Sequence, residues 1–234
     1  MRTLLLSAAL LVAVPLSAQK LVPGEYVTEG GWGNLTLKRG SKGALAFSIE
    51  TVGANGHSCS LEGEVRNGSA TLEGLDEGEP CIVTLAAVEG GVEVGSESDA
   101  CRIFCGARAG FTGTYLRLPV SCSPKVVAAT RKTFKQLYDA RKFTAARAKL
   151  EPLLESCDSF LDTWTTGRIR NDLAVTLHKL GDLEGCRAVL EPLREDAEMT
   201  DQELRENYPP SDAESLMPIV RATRTNLRLC RERD

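Results

Sequence analysis

The sequence predicts a two-domain protein in which a small antiparallel β-barrel or β-sandwich precedes a short stack of antiparallel helices. Three observations lead to this fold class. From Tyr26 to Leu118 apolar residues alternate with polar ones, whereas after Cys122 they recur with the spacing of a helix. Glycine is frequent in the first part and scarce in the second. Eight cysteines are spread over both parts. A change of hydrophobic period within one chain indicates a change of structural class.

The first 18 residues have the pattern of a secretory signal peptide. Arg2 gives a positive start, residues 4–16 form an apolar run, and Ser17-Ala18 place small residues before Gln19. That order is typical of a leader that is cleaved during export. We therefore expect an exported protein of bacterial type, periplasmic or secreted. No later apolar run approaches the roughly 18 residues of a membrane-spanning helix, so we expect no stable membrane insertion.

The predicted β domain covers residues 19–121 and contains seven or eight short strands. Each strand has one apolar and one polar face, as in a half-buried antiparallel sheet. Asn67-Gly68 separates two alternating runs and predicts a two-residue hairpin with positive φ at both positions. The apolar faces carry Leu35 and Leu37, then Leu45, Phe47 and Ile49, then Cys59, Leu61 and Val65, then Ala70 and Leu72, then Cys81, Val83 and Leu85, then Val92 and Val94, then Phe111 and Tyr115.

The predicted helical domain covers residues 122–234 and contains an internal repeat. Ser123-Pro124 is a favourable helix start, because serine can cap and proline is tolerated in the first turn. Leu150-Glu151-Pro152-Leu153 recurs as Leu190-Glu191-Pro192-Leu193 at an offset of 40 residues. Self-similarity at such a period predicts stacked helical hairpins. Residues 212–231 are expected to form a final helix that caps the stack.

The segment from Asn171 to Leu193 resembles a tetratricopeptide repeat, with a tight turn at Gly181-Asp182 between two helices. Residues 138–143 resemble a second copy, in which Arg141 stands where the first has its turn glycine. The resemblance covers roughly residues 125–194. It implies a scaffold that recognises peptides or protein partners rather than a catalyst, an implication that rests on analogy of fold.

Eight cysteines in an exported protein are expected to form four disulfides, two in each domain. In the β domain, one bridge would link cysteines on neighbouring strands, and the other would link two cysteines across a single turn. In the helical domain, antiparallel helices would bring each pair to the same end of a hairpin. A redox pair in the β domain is the alternative for the second bridge. The expected bridges are Cys59–Cys81, Cys101–Cys105, Cys122–Cys157 and Cys186–Cys230.

Candidate binding residues come from two segments rich in basic side chains. Residues 101–111 combine two cysteines, two arginines and two aromatic residues, and the arginines could fork onto a carboxylate or phosphate. A disulfide-closed turn with solvated arginines explains the same residues. Residues 125–149 carry eight basic residues against Asp139 alone, so this hairpin either docks on the acidic β domain or faces an anionic partner. The candidate binding residues are Arg102, Arg108, Phe104, Trp32, Arg131 and Lys135.

The sequence offers few candidates for catalytic or metal-binding residues. His57 and His178 are the two histidines, and neither neighbours a recognisable nucleophile motif. No glycine-rich phosphate loop, zinc-protease motif or serine-hydrolase motif occurs. We therefore expect no catalytic residue, no metal and no cofactor.

The expected function is non-enzymatic binding in the bacterial cell envelope, to a protein or an anionic envelope polymer. A net charge of −4 disfavours a nucleic-acid partner. Two alternatives stay open. One is a periplasmic enzyme, either a carboxylate-based hydrolase or a thiol oxidoreductase. The other is an inhibitor or immunity-type protein that acts against a cell-wall hydrolase or a toxin.

Overall fold

The computed structural model of the chain describes residues 20–40, 43–73 and 79–231. The predicted signal peptide therefore lies outside the described residues. The predicted fold class is confirmed: a nearly closed antiparallel β-barrel is followed by a set of α-helices. The last strand ends at Arg117 and the first α-helix begins at Pro124. Each part has its own hydrophobic core.

The barrel is one antiparallel sheet. Its strands are β1 (Gly24–Thr28), β2 (Gly33–Arg39), β3 (Leu45–Val52), β4 (Ser58–Val65), β5 (Ser69–Leu72), β6 (Cys81–Val88), β7 (Gly91–Ser96) and β8 (Gly113–Arg117). They follow the order β4-β3-β2-β1-β8-β7-β6-β5, so β1 pairs with β8 and the sheet curls until β4 and β5 meet. Between β4 and β5 the only ladder contact among the described residues is the bridge from Arg66 to Ser69. The barrel is therefore nearly, but not fully, closed.

Alternation along the strands fills the barrel with side chains. The apolar side chains point inward and the polar ones outward, as the period of two requires. Asn67 and Gly68 have φ of 53° and 83°, which confirms the predicted hairpin between β4 and β5. The largest fully buried barrel side chains are Tyr115, Leu35, Leu37, Ile49, Leu61, Val83, Val92 and Val94.

The C-terminal part begins with two helical hairpins, which are followed by further helices. Its helices are α1 (Pro124–Asp139), α2 (Phe143–Cys157), α3 (Thr163–Lys179), α4 (Leu183–Leu190), α5 (Arg194–Glu198), α6 (Asp201–Asn207) and α7 (Pro210–Leu229). Helices α1 and α2 form one hairpin, α3 and α4 form the next, and α7 packs on α3. Across residues 20–40, 43–73 and 79–231, no helix has the length and apolar composition needed to cross a membrane.

The two hairpins turn in the same way at equivalent positions of the repeat. Arg141 has φ of 57° and Gly181, 40 residues later, has φ of 80°. Both therefore adopt the left-handed conformation that favours glycine. The internal repeat seen in the sequence thus corresponds to a repeat of backbone conformation.

Four disulfides link the eight cysteines in pairs. The expected bridges Cys122–Cys157 and Cys186–Cys230 are confirmed. In the barrel the expected bridges Cys59–Cys81 and Cys101–Cys105 are wrong. The structure instead joins Cys59 to Cys105 and Cys81 to Cys101.

The path of residues 99–105 explains the different pairing in the barrel. Residues 99–104 form a 3₁₀ helix against β6, where Cys101 is buried and meets Cys81. Cys105 then turns to an extended conformation and pairs with Cys59 on β4 as an isolated bridge. The segment therefore ties together two strands that are not neighbours in the sheet. Strand order alone could not reveal this pairing, because the segment itself has no hydrophobic period.

Two loop contacts join the barrel to the helices among the described residues. Gly31 packs so closely on the backbone of Leu161 and Asp162 that an added Cβ would lie 2.6 Å from Asp162 N. At the second place, Asn55 N donates to Asp212 Oδ2 at 3.0 Å, and Ser211 N donates to Asn55 Oδ1 at 3.2 Å. Loops at one end of the barrel thus contact the N-terminal ends of α3 and α7.

Candidate functional site

A groove of about 650 Å³ lies between α1 and α3. The first helices of the two hairpins form its walls. Its lining combines three basic, two acidic and three apolar or aromatic side chains, namely Arg131, Lys132, Lys135, Asp139, Asp172, Phe134, Tyr138 and Val175. Two of the candidate residues, Arg131 and Lys135, therefore meet in one site.

The basic residues of the α1–α3 groove make few internal bonds. Arg131 Nη2 donates to Asp172 Oδ2 at 3.2 Å and so links α1 with α3. Arg131 Nε is buried and has no acceptor among the described residues. Lys135 pairs with Asp139 at 3.0 Å on the same helix, and both side chains are largely exposed. Lys132 is exposed as well. The basic hairpin thus presents these two lysines to solvent rather than to the barrel.

Aromatic rings form the apolar side of the α1–α3 groove. The rings of Phe134 and Tyr138 lie 5.8 Å apart between centroids, and Phe143 meets Tyr138 edge-on at 5.3 Å. Phe134 is buried in the helical core, whereas Tyr138 is half-buried. Burial raises the pKa of Tyr138, and the charges of Asp172 and Asp139 raise it further. Tyr138 therefore enters the groove as a neutral hydrogen-bonding group on an apolar surface.

Asp172 is the acidic residue that crosses the groove to Arg131. Burial raises the pKa of Asp172, while the hydrogen bond and charge of Arg131 and the charge of Lys135 oppose the rise. A carboxyl group whose pKa is higher in the folded chain destabilises the fold when it is ionised. This penalty is present above the folded pKa and is lost as the pH falls toward the unfolded value.

Replacing Arg131 by alanine is expected to raise the pKa of Asp172 further, because it removes a hydrogen bond and a positive charge from the carboxylate. The measurement is a pH titration of the Asp172 carboxyl carbon by NMR. Lys149→Ala removes an exposed cation from α2, outside the groove, and should leave the titration unchanged. An unaltered titration in Arg131→Ala would contradict the ion pair across the groove.

The other candidate segment, residues 101–111, lies at the barrel. Arg102 lines a cleft of about 850 Å³ formed by residues 96–112, whereas Arg108 and Phe104 do not line it. Phe104 packs against the barrel core, and Arg108 is exposed. The segment is fixed by two disulfides and by the hydrogen bond from Thr51 Oγ1 to Gly110 O at 2.8 Å. Only one of the two arginines predicted from this segment therefore lines the cleft.

Trp32 stands apart from both sites. It lies in the loop between β1 and β2, is 40% exposed, and faces the ring of Tyr115 at 6.4 Å between centroids. Its neighbour Gly31 makes the close contact with the helical part. Trp32 therefore belongs to the barrel end that meets the helices.

Within the described residues, the cysteine, histidine and carboxylate side chains form neither a metal site nor a Cys101–Cys105 redox pair. No group of three or more His, Cys, Asp or Glu side chains is placed to hold a metal ion within residues 20–40, 43–73 and 79–231. Cys101 and Cys105 are bonded to other cysteines, so the pair on which the thiol-oxidoreductase hypothesis depended is not formed. His178 Nδ1 is buried and finds no partner in the described part of the chain.

Sequence reasoning named only Arg131 and Lys135 among the eight residues that line the groove. The internal repeat contained a signal for some of the others. The offset of 40 residues pairs Lys132 with Asp172 and Lys135 with Val175. All four line the groove. Equivalent positions on the first helix of each hairpin therefore face the same space.

The comparisons give no relative from which to transfer a role. No protein-family model, no curated protein and no solved structure matches this chain.

Proposed function

We propose that this chain is an exported binding protein whose α1–α3 groove holds a segment of a protein partner. The observation that carries the proposal is the composition of the groove. Arg131, Lys132 and Lys135 lie beside the aromatic side chains of Phe134 and Tyr138 in about 650 Å³. Clusters of basic side chains are a recurring means of recognising acidic peptide motifs.

The chemistry of the groove favours an extended segment with acidic and apolar side chains. One acidic group of the partner would replace Asp139 as the ion-pair partner of Lys135, and another would form an ion pair with Lys132. An apolar or aromatic side chain would lie against Tyr138, whose ring already packs edge-on with Phe143. Charged rims set specificity and association rate, whereas the buried apolar contact supplies most of the affinity.

The architecture supports the same proposal. Helices α1 and α3 would be the first helices of two hairpins related to tetratricopeptide repeats, a relation that we propose from the resemblance of residues 125–194. Four disulfides are compatible with an oxidising compartment such as the periplasm or the cell exterior. The protein would therefore act outside the cytoplasm of a bacterium, by binding rather than by catalysis.

The test is selection of peptides from a random displayed library on the disulfide-bonded protein, followed by titration of the selected peptides. We expect enrichment of Asp and Glu next to aromatic or long aliphatic residues. In the double variant Lys132→Glu/Lys135→Glu, affinity for the selected peptides should fall by about tenfold or more, equivalent to about 1.4 kcal/mol. The affinity of the double variant should also depend less steeply on salt concentration, because the substitutions remove the attraction between the two lysines and the acidic side chains of the peptide.

The matched control is Lys142→Glu/Lys149→Glu, which changes the charge of the same hairpin by the same amount. Both lysines are exposed and neither lines the groove. Circular dichroism is used to check that both double variants remain folded. Equal losses of peptide affinity in the two double variants would show that the overall charge of the hairpin, and not the groove, causes the effect. Selected peptides that bind both variants as tightly as the wild type would contradict the proposal.

A further inference from the structure

A second groove, of about 340 Å³, lies between the α4–α5 region and the last turns of α7. Five guanidinium groups and one carboxylate line it, above an apolar floor. The lining residues are Arg187, Arg194, Arg224, Arg228, Arg231, Glu198, Ala197 and Leu227. No part of the proposed peptide groove contributes to it.

Two of the arginines form a fixed frame. Arg187 Nη1 donates to the carbonyl of Cys230 at 2.9 Å, beside the Cys186–Cys230 disulfide. Arg224 donates to the carbonyls of Ala197 and Met199 and pairs with Asp201 at 2.6 Å. The disulfide and these bonds hold α4, α5 and α7 together. The positions from which the other arginines project are therefore set before any ligand arrives.

The remaining arginines are less engaged. Arg194 pairs with Glu191 at 2.8 Å near the surface. Arg228 is exposed and has a hydrogen bond of 3.3 Å to Thr225 on its own helix, and Arg231 is exposed. Surface pairs of this kind contribute little and exchange readily. These three side chains can turn toward an anion in the groove at low cost.

We propose that this arginine groove binds a soluble phosphomonoester. A phosphate dianion offers several oxygens to the forked donors of Arg228, Arg231 and Arg194, and paired charged hydrogen bonds are the strong ones. The apolar floor of Leu227 and Ala197 would contact the carbon skeleton that carries the phosphate. The small volume lies near the lower end of the range for small-molecule sites, which favours a compact ester over a polymer.

The experiment is calorimetric titration of the disulfide-bonded protein with phenyl phosphate and with inorganic phosphate at low ionic strength. We expect saturable binding of both, and tighter binding of phenyl phosphate because its ring covers Leu227. Arg228→Gln/Arg231→Gln should weaken phenyl phosphate binding by about tenfold or more. Lys38→Gln/Arg66→Gln removes two exposed cations from the barrel and should change it little.

Two further measurements separate this proposal from its competitors. Cations near a helix C-terminus also stabilise the helix, so thermal melting of each variant is recorded beside the titration. A lower Tm with unchanged phosphate affinity would leave the arginines a purely structural role and would overturn the proposal. Absence of saturable binding in the millimolar range, or binding only to vesicles that contain phosphatidic acid, would overturn it as well.

Discussion

Replacing Tyr115 by alanine is expected to lower the free energy of unfolding of the barrel by about 3–5 kcal/mol, the range for removing a large buried aromatic side chain. Tyr115 is fully buried on β8, where it faces Val92 across the strand pair. Its hydroxyl donates to the carbonyl of Phe111 at 2.7 Å, and burial raises its pKa far above the usual value. The substitution would leave both a cavity and a buried carbonyl without its donor.

Tyr115→Phe separates the two contributions. It keeps the ring but removes the hydroxyl, so it should cost only about 1–2 kcal/mol, the penalty for a buried carbonyl that loses its partner. Denaturant unfolding followed by the fluorescence of Trp32, in a Trp164→Phe background, reports on the barrel because Trp32 lies beside Tyr115. Tyr208→Phe is the control, since Tyr208 bonds Asp196 from a half-buried position in the helical part. Equal costs for the phenylalanine and alanine variants at 115 would contradict the packing argument.

Much of the barrel could be predicted because every strand buries one face. Alternation located the strands, and Asn67-Gly68 located a hairpin, since each pattern is a local consequence of a local geometry. The pairing of Cys59 with Cys105 and of Cys81 with Cys101 could not be found in this way. It depends on how a 3₁₀ segment without a hydrophobic period crosses the end of the barrel. The helical bridges were predictable, because antiparallel helices bring their ends together.

The groove between α1 and α3 was only partly visible in the sequence. The excess of basic residues in 125–149 pointed to Arg131 and Lys135, because charge is a property of the local sequence. The approach of Asp172 to Arg131 at 3.2 Å follows from the stacking of two hairpins, and this is a long-range contact. The repeat offset could have supplied Asp172 as the counterpart of Lys132. The arginine groove brings α7 to residues that lie 26 or more positions earlier, and no periodicity predicts it.

A buried polar network joins α3 to α7. Asn171 Nδ2 donates to Gly167 O at 3.0 Å and to Thr223 Oγ1 at 2.9 Å. Asn171 Oδ1 accepts from Asn226 Nδ2 at 2.9 Å, and Asn226 also donates to the backbone carbonyl of Asn171 at 3.1 Å. Asn171, Thr223 and Asn226 are all buried. Networks of this kind stabilise when every member is bonded and become costly when one member is removed.

Asn171→Ala is therefore expected to lower the free energy of unfolding of the helical part by about 3 kcal/mol, since it leaves Asn226 and Thr223 short of partners in a buried site. Unfolding is followed by Trp164, which packs against the helical core near the start of α3, in a Trp32→Phe background. Asn207→Ala removes an exposed helical amide and should cost less than about 0.5 kcal/mol.

The double variant Asn171→Ala/Asn226→Ala tests whether these side chains act together. If they form one network, the cost of the double change should be smaller than the sum of the single costs by about 1 kcal/mol or more, because the second change removes a group that the first has already deprived of its bond to the Asn171 side chain. Additive costs would contradict the network. Asn171 precedes Asp172, which lines the α1–α3 groove, and α7 carries Arg228 of the arginine groove. Loss of the network between α3 and α7 should therefore weaken peptide binding and phosphate binding together.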